Sequence, residues 1–211
     1  MKIKTMMTTF VASTLISGSL AAADSSWLVR LRAIDMIPNE SSTIISLIGG
    51  EVTKINNVVT PELDFSYFFT PNIAAELILA TTRHSVKATH TAIGTVDLGK
   101  VSVLPPTLTA QYHFMPGQMF SPYVGAGINF THFYNIKNGP LSLSTHYGDS
   151  VGPALQLGTD FAVNDQWSIN IDVKKAFVKT NVTVNTVLAP VSTKVTINPW
   201  VFGFGIGYRF S

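Results

Sequence analysis

Of the 211 residues, 46% are hydrophobic and only 12% are charged, where about 25% charged is usual for a soluble domain; the length suits one domain with a sizeable core. There is no cysteine and the formal charge is only +2, which excludes disulfides, thiolate metal centres and a cysteine nucleophile and leaves no basic footprint for nucleic acid. Beyond the N-terminus every apolar run is broken by polar residues, Gly or Pro well before the roughly 18–20 residues that a membrane helix needs, so the apolar surface has to be placed in another way.

The chain begins with a basic stretch (Lys2, Lys4), an apolar run from Met6 to Ile16 and small residues at Leu20–Ala23. This pattern predicts a secretory signal peptide over residues 1–23, cleaved after Ala23, with residues 24–211 forming the mature domain. Removing two lysines leaves 12 of the 14 Lys and Arg against 12 Asp and Glu, a net charge of zero. Eight stretches of period-two alternation then follow, at 27–34, 60–68, 73–87, 107–114, 123–134, 151–161, 167–178 and 195–210. Short connections (69–72, 115–122, 162–166) alternate with long ones (35–59, 88–106, 135–150, 179–194). That alternation predicts an all-β fold: an eight-stranded antiparallel up-and-down transmembrane β-barrel with short periplasmic turns, long extracellular loops and both termini in the periplasm.

The faces decide between this and a soluble barrel. Arg30 and Arg32 oppose Trp27, Val29, Leu31 and Ala33; Glu62 and Asp64 oppose Leu63 and Phe65; Glu76 opposes Leu77 and Leu79; Asp160, Asp172 and Lys174 likewise oppose apolar residues. Every charge in these central stretches falls on one face and none on the apolar face, as lipid requires, since Arg or Lys at the midplane of a lipid-facing surface costs roughly 2–4 kcal/mol. By the same alternation Ile169 faces lipid and Asn170 the lumen, and Asn170 is expected to accept an arginine more readily than Ile169. The stretch WVFGFGIGYRF (200–210) sets six large apolar residues against Gly203, Gly205, Gly207 and Arg209. An eight-stranded barrel is just wide enough for side chains to fill. These glycines, with Gly125 and Gly127, are therefore expected to make room for inward side chains or, alternatively, to relieve strand curvature. Four inward positives (Arg30, Arg32, Lys174, Arg209) face five negatives (Glu62, Asp64, Glu76, Asp160, Asp172). They are expected to pair and to constrict the lower lumen, since unpaired buried charge is costly.

The combination of WLVRLRAIDMIPNES (27–41), LPPTLTAQYHF (104–114), SPYVGAGINFTHF (121–133) and NPWVFGFGIGYRF (198–210) resembles the outer membrane protein W (OmpW) family over nearly all of the mature chain. The resemblance implies an eight-stranded barrel in a Gram-negative outer membrane and passage of small hydrophobic molecules; for some members it implies a role as toxin receptor or in stress adaptation. It also implies a C-terminal signal for the barrel-assembly machinery, here Phe210 followed by Ser211.

None of the five histidines (84, 90, 113, 132, 146) pairs at a helical metal-binding spacing. No cofactor, metal or enzymatic activity is expected. The long connections are instead rich in Ile, Val and Leu. Ile44, Ile45, Leu47, Ile48, Val101 and Val103 are candidates for an apolar loop funnel, unless the loops simply pack on one another and extend the barrel. Pro105 and Pro106 cannot donate ladder hydrogen bonds. With His84 and Leu104 they mark a candidate lateral exit; the alternative is that the prolines only end the loop. The expected function is a passive conduit for small hydrophobic solutes, possessing outer-membrane lipid and the assembly machinery as its other partners. The alternative is a non-transporting surface barrel serving as receptor or adhesin.

Overall fold

Period-two alternation shapes all of the chain described by a computed structural model: residues 26–43, 51–140, 142–185 and 190–210. In chain order the strands are β1 (Trp27–Ile37), β2 (Ser41–Ser42), β3 (Glu51–Ile55), β4 (Val58–Phe68), β5 (Ile73–Ala80), β6 (Thr82–Thr91), β7 (Gly94–Leu104) and β8 (Thr107–His113). They continue as β9 (Phe120–Asn138), β10 (Ser144–Tyr147), β11 (Ser150–Ala162), β12 (Trp167–Ala176), β13 (Lys179–Asn185), β14 (Pro190–Thr196) and β15 (Trp200–Arg209). Eight of them, in the order β1-β4-β5-β8-β9-β11-β12-β15, pair antiparallel, and β15 returns to β1 with Leu28 opposite Arg209. The ring is closed, so none of the eight strands is an open edge in lipid, which would strand its N–H and C=O groups; the ladder lapses at its upper rim, between 79–81 and 104–106.

The periplasmic connections are tight. Phe69 N–H donates to the Ile73 carbonyl and Val163 N–H to that of Trp167; Gly117 takes a positive φ of 75° in the turn between β8 and β9. Around this rim the rings of Trp27, Tyr67 and Phe69, of Tyr112 and Phe114, and of Trp167, Tyr208 and Phe210 stack edge to face. They form the aromatic girdle expected at a membrane interface. Within the wall the outward residues are exposed (Phe204, 60%) and the alternate inward ones buried (Arg30, 0%).

The extracellular side differs from the sequence reading. The connections read as loops are largely strands: β6 and β7 extend the β5–β8 hairpin, and β13 and β14 extend the β12–β15 hairpin. The stretch read as one strand over 73–87 is broken at Thr81 into β5 and β6. The physical reason is visible along it. Even-numbered residues from Ala74 to Ala88 face inward throughout. The inward face changes from Glu76 to Ile78, Ala80, Val86 and Ala88, while the outward face changes from Leu77 and Leu79 to Arg83 and Lys87. The strand leaves lipid for water, and its two faces exchange polarity without a shift of parity.

The upper strands form two walls, β3-β6-β7-β9 and β10-β13-β14-β2. Side chains tie them together: Asn138 Oδ1 accepts from Thr145 N–H at 3.0 Å, and Ser42 Oγ accepts from Val52 N–H at 2.7 Å. Between them lies the main apolar core, which includes Val52, Val86, Val101, Val103, Phe133, Val182 and Val195. The core therefore sits above the membrane, and the membrane-embedded interior is polar.

Ile169 projects outward and is 39% exposed. Ile169→Arg is expected to reduce the folded fraction of refolded protein, at a cost of roughly 2–4 kcal/mol near the midplane, whereas Ile169→Phe should leave it unchanged. Heat-modifiable electrophoretic mobility after refolding into micelles reports both.

Candidate functional site: an apolar chamber above a polar plug

The polar plug is built around two arginines on β1. The Arg30 guanidinium grips Asp160 with two parallel bonds, Nε to Oδ1 at 3.0 Å and Nη2 to Oδ2 at 2.6 Å. Its Nη1 donates to Ser66 Oγ at 2.7 Å and to Glu76 Oε2. Two residues on, Arg32 Nη1 donates to Asp64 at 2.7 Å and Glu62 at 3.3 Å, and Nε donates to Asn170 Oδ1 at 2.7 Å. Lys174 Nζ lies 2.6 Å from Glu62 and 2.9 Å from Asp172. Gln156 Nε2 joins the halves by donating to Glu76 at 2.9 Å and Asp172 at 3.0 Å. These groups come from β1, β4, β5, β11 and β12, so the plug ties opposite sides of the barrel together.

Glycine supplies the space. A Cβ on Gly203 would collide with the Asp172 carboxylate, one on Gly205 with the Leu31 carbonyl, and one on Gly207 would lie 2.6 Å from Ser168 Oγ. A Cβ on Gly158 would lie 2.5 Å from the Tyr123 ring. The aromatic–glycine alternation of β15 thus presents a smooth apolar surface to lipid and a bare wall to the arginines.

Arg209 stands apart from this network. As the last residue of β15 it is exposed at the periplasmic mouth, its guanidinium 4.3 Å from the Phe68 ring centroid. It lines a separate periplasmic cavity of about 690 Å³ together with His113 and Asp160. The expected four-cation network is therefore a three-cation one among the described residues. Neutral groups not singled out from the sequence complete it: Tyr123 Oη accepts from Arg32 and Asn170, and Gln111 Nε2 donates to Gln156 at 3.0 Å. Tyr123 shares the parity of Gly125 and Gly127, which was the available signal. Asn170 is fully buried and bonded to Arg32, Tyr123, Asp160 and the Thr159 carbonyl. An arginine there would overfill the plug, contrary to the tolerance expected from its facing alone.

Above the plug lies an elongated apolar chamber with a cavity volume of about 90 Å³. Ile34, Met36, Ala80 and Val201 form its waist, and the core valines of both walls line its upper part. Glu62, Gln156 and Lys174, members of the plug, form its floor. Val101 and Val103 are buried in its wall; Ile44, Ile45, Leu47 and Ile48 lie outside the described residues. His84 is buried beside the chamber, with Nδ1–H donating to the Asn56 carbonyl at 2.9 Å and Nε2 accepting from Thr82 Oγ1 at 3.0 Å. Burial holds its imidazole below the usual histidine range.

The wall has a gap beside this chamber. Ile78 pairs with Thr107 and Thr82 with Val103, the same register below and above, but residues 79–81 and 104–106 share no ladder pairing. Pro105 and Pro106 have no N–H to offer there. Pro105 lines the chamber, while Leu104 points outward and is 40% exposed. The Pro105 carbonyl is satisfied from the side, by Asn129 Nδ2 at 3.1 Å and Thr107 Oγ1 at 3.1 Å, and that of Pro106 by Phe130 N–H at 2.9 Å. His84 lies higher, opposite Val101.

The sequence model of the OmpW family matches residues 23–210. An uncharacterized outer-membrane protein of Sinorhizobium fredii, y4mB, is 44% identical over 192 residues, covering 90% of this chain and 82% of its own. Outer membrane protein W of Escherichia coli is 35% identical, covering 98% of this chain and 99% of its own. Among solved structures, the outer membrane protein OprG from Pseudomonas aeruginosa superposes with a TM-score of 0.81 at 27% identity, over 88% of this chain and 96% of that one.

Two substitutions probe the plug. Arg30→Met leaves Asp160 buried without its cation and Glu76 with only the more distant Arg32, 3.7 Å away, and is expected to cost about 3–5 kcal/mol. Gly205→Ala forces a methyl group against the β1 backbone, an overpacking expected to cost about 1–3 kcal/mol, while Phe204→Leu should be neutral. Urea unfolding in micelles, followed by tryptophan fluorescence, measures all three.

Proposed function

The chain belongs to the OmpW family and forms a Gram-negative outer-membrane barrel; we propose that it acts as a passive conduit for small hydrophobic molecules. The supporting observation is the sequence of environments along the axis: an apolar chamber, a gap in the wall at its side, and a charged plug at its floor. A solute in the chamber gains roughly 25 cal/mol for each Å² of apolar surface it buries. Moving down among Arg32, Glu62 and Lys174 would forfeit that gain and separate paired charges. The favourable path is sideways, past Leu104, Pro105 and Pro106 below His84, into the outer leaflet. The route needs no cofactor and no chemical step, and in this reading the protein is not an enzyme. The same reading has residues 1–23 removed on export, and the barrel-assembly machinery recognising the aromatic end of β15 at Phe210.

The test joins the two edges of the gap. Thr81→Cys with Leu104→Cys, oxidised, should reduce uptake of an apolar dye into proteoliposomes to near the level of empty vesicles, and reduction should restore it. Equal uptake by the oxidised and reduced forms would rule out the lateral path. No uptake above empty vesicles by the unmodified protein would remove the conduit and favour a surface role as receptor or adhesin.

A further inference from the structure

The outward face of the β3-β6-β7-β9 wall carries an arrangement that neither the fold nor passage of solutes requires. Lys100 of β7 lies directly opposite Lys137 of β9, and Lys54 of β3 directly opposite Lys87 of β6. Directly opposed residues have Cα atoms about 5 Å apart, and like charges in that position destabilise a sheet. Arg83 lies on the same face, opposite Ser102, whose other neighbour is Tyr134. All five cations are exposed, and among the described residues none makes an ion pair. The carboxylates of this wall do not reach its centre: Asp97 lies directly opposite Lys87 at the outer edge and accepts from Gly99 N–H at 2.8 Å, Glu51 is paired with Thr89, and Asp149, beside the wall, is held by His132 at 2.8 Å. The opposite wall has no such pairing, since Lys179 faces Thr196 and Lys194 faces Asn181.

The height of the cluster identifies what relieves it. Going up β9, Ile128 and Phe130 face lipid, Tyr134 follows at the interfacial level expected for tyrosine, and Lys137 comes next. On β7 the order is Leu104, then Ser102 beside Arg83, then Lys100. The cations begin where the lipid-facing surface ends, at the level of the headgroups. In a Gram-negative outer membrane the outer leaflet is a phosphorylated glycolipid. We propose that this wall is a binding site for the phosphates of that glycolipid, with Arg83, Lys100 and Lys137 as its centre and Lys54 and Lys87 at its outer edge. Arginine supplies a planar fork for phosphate oxygens, and the lysines supply point charges. The bound lipid's acyl chains lie against Leu104, Ile128 and Phe130, beside the gap in the wall.

The experiment is native mass spectrometry of the refolded full-length mature protein in micelles, titrated with bisphosphorylated lipid A and with its fully dephosphorylated counterpart. The protein should bind the phosphorylated form and not the other. Lys100→Gln with Lys137→Gln should weaken binding about thirtyfold, from the contribution of two basic side chains at about 1 kcal/mol each at a membrane surface. Lys179→Gln with Lys194→Gln on the opposite wall should leave it unchanged. Ser85→Glu places a carboxylate opposite Lys100, and should weaken binding while preserving heat-modifiable mobility. Equal binding of the dephosphorylated lipid, unchanged affinity in the Lys100/Lys137 variant, or equal loss in the opposite-wall variant would each overturn the site. No transport measurement enters, so the outcome is independent of the conduit reading.

Discussion

Arg30 and Arg32 are buried inside a barrel that is itself surrounded by lipid, and neither can reach water. A buried guanidinium is tolerable only when carboxylates and neutral acceptors surround it. That requirement sets the composition of β4, β5, β11 and β12, each of which brings an acid or amide to the same level of the lumen. It also sets the glycines of β15, because the strand beside β1 has to leave the space that the arginine stems occupy. Five strands joined through one network are held in a fixed arrangement, and the lower lumen is filled as a consequence.

The upper half of the molecule follows the opposite rule. In the membrane the outside is hydrocarbon, so the large apolar residues face out and the polar ones in. Above the membrane the outside is water, and the same strands carry valine inward and lysine outward. The inversion gives the protein an apolar core where a soluble protein would have one, and places that core directly on top of the polar plug. An apolar chamber with a charged floor results from the change of solvent along the strand.

The junction between these regimes is the weak point of the wall. At residues 79–81 and 104–106 the ladder lapses because two consecutive prolines lack donors, and Asn129 and Thr107 take over the Pro105 carbonyl. A gap that left this carbonyl bare beside lipid would be costly; one capped from inside costs little. The unpaired cations of the neighbouring wall lie immediately above it, so chamber, gap and headgroup-level charge fall within one sector of the barrel.

Much of this was legible in the chain itself. Strict alternation with every charge of the central stretches on one face specified a membrane barrel, eight strands and their facing, because a charge at the midplane of the lipid-facing surface is costly. The apolar content of 88–106 and 179–194 was also legible, but not its form: these segments read as loops because the prolines and asparagines at the junctions look like chain terminators, whereas the strands resume beyond them. The sequence could not assign which carboxylate each arginine takes, nor exclude Arg209 from the plug, because those depend on the stagger of non-neighbouring strands around a closed ring. The same holds for Asn170, whose facing follows from parity but whose complete burial depends on Tyr123 and Asp160 reaching it from other strands. Alternation is a property of one strand and survives in the sequence; pairing across a lumen is a property of the closed barrel, and only the tertiary structure decided it.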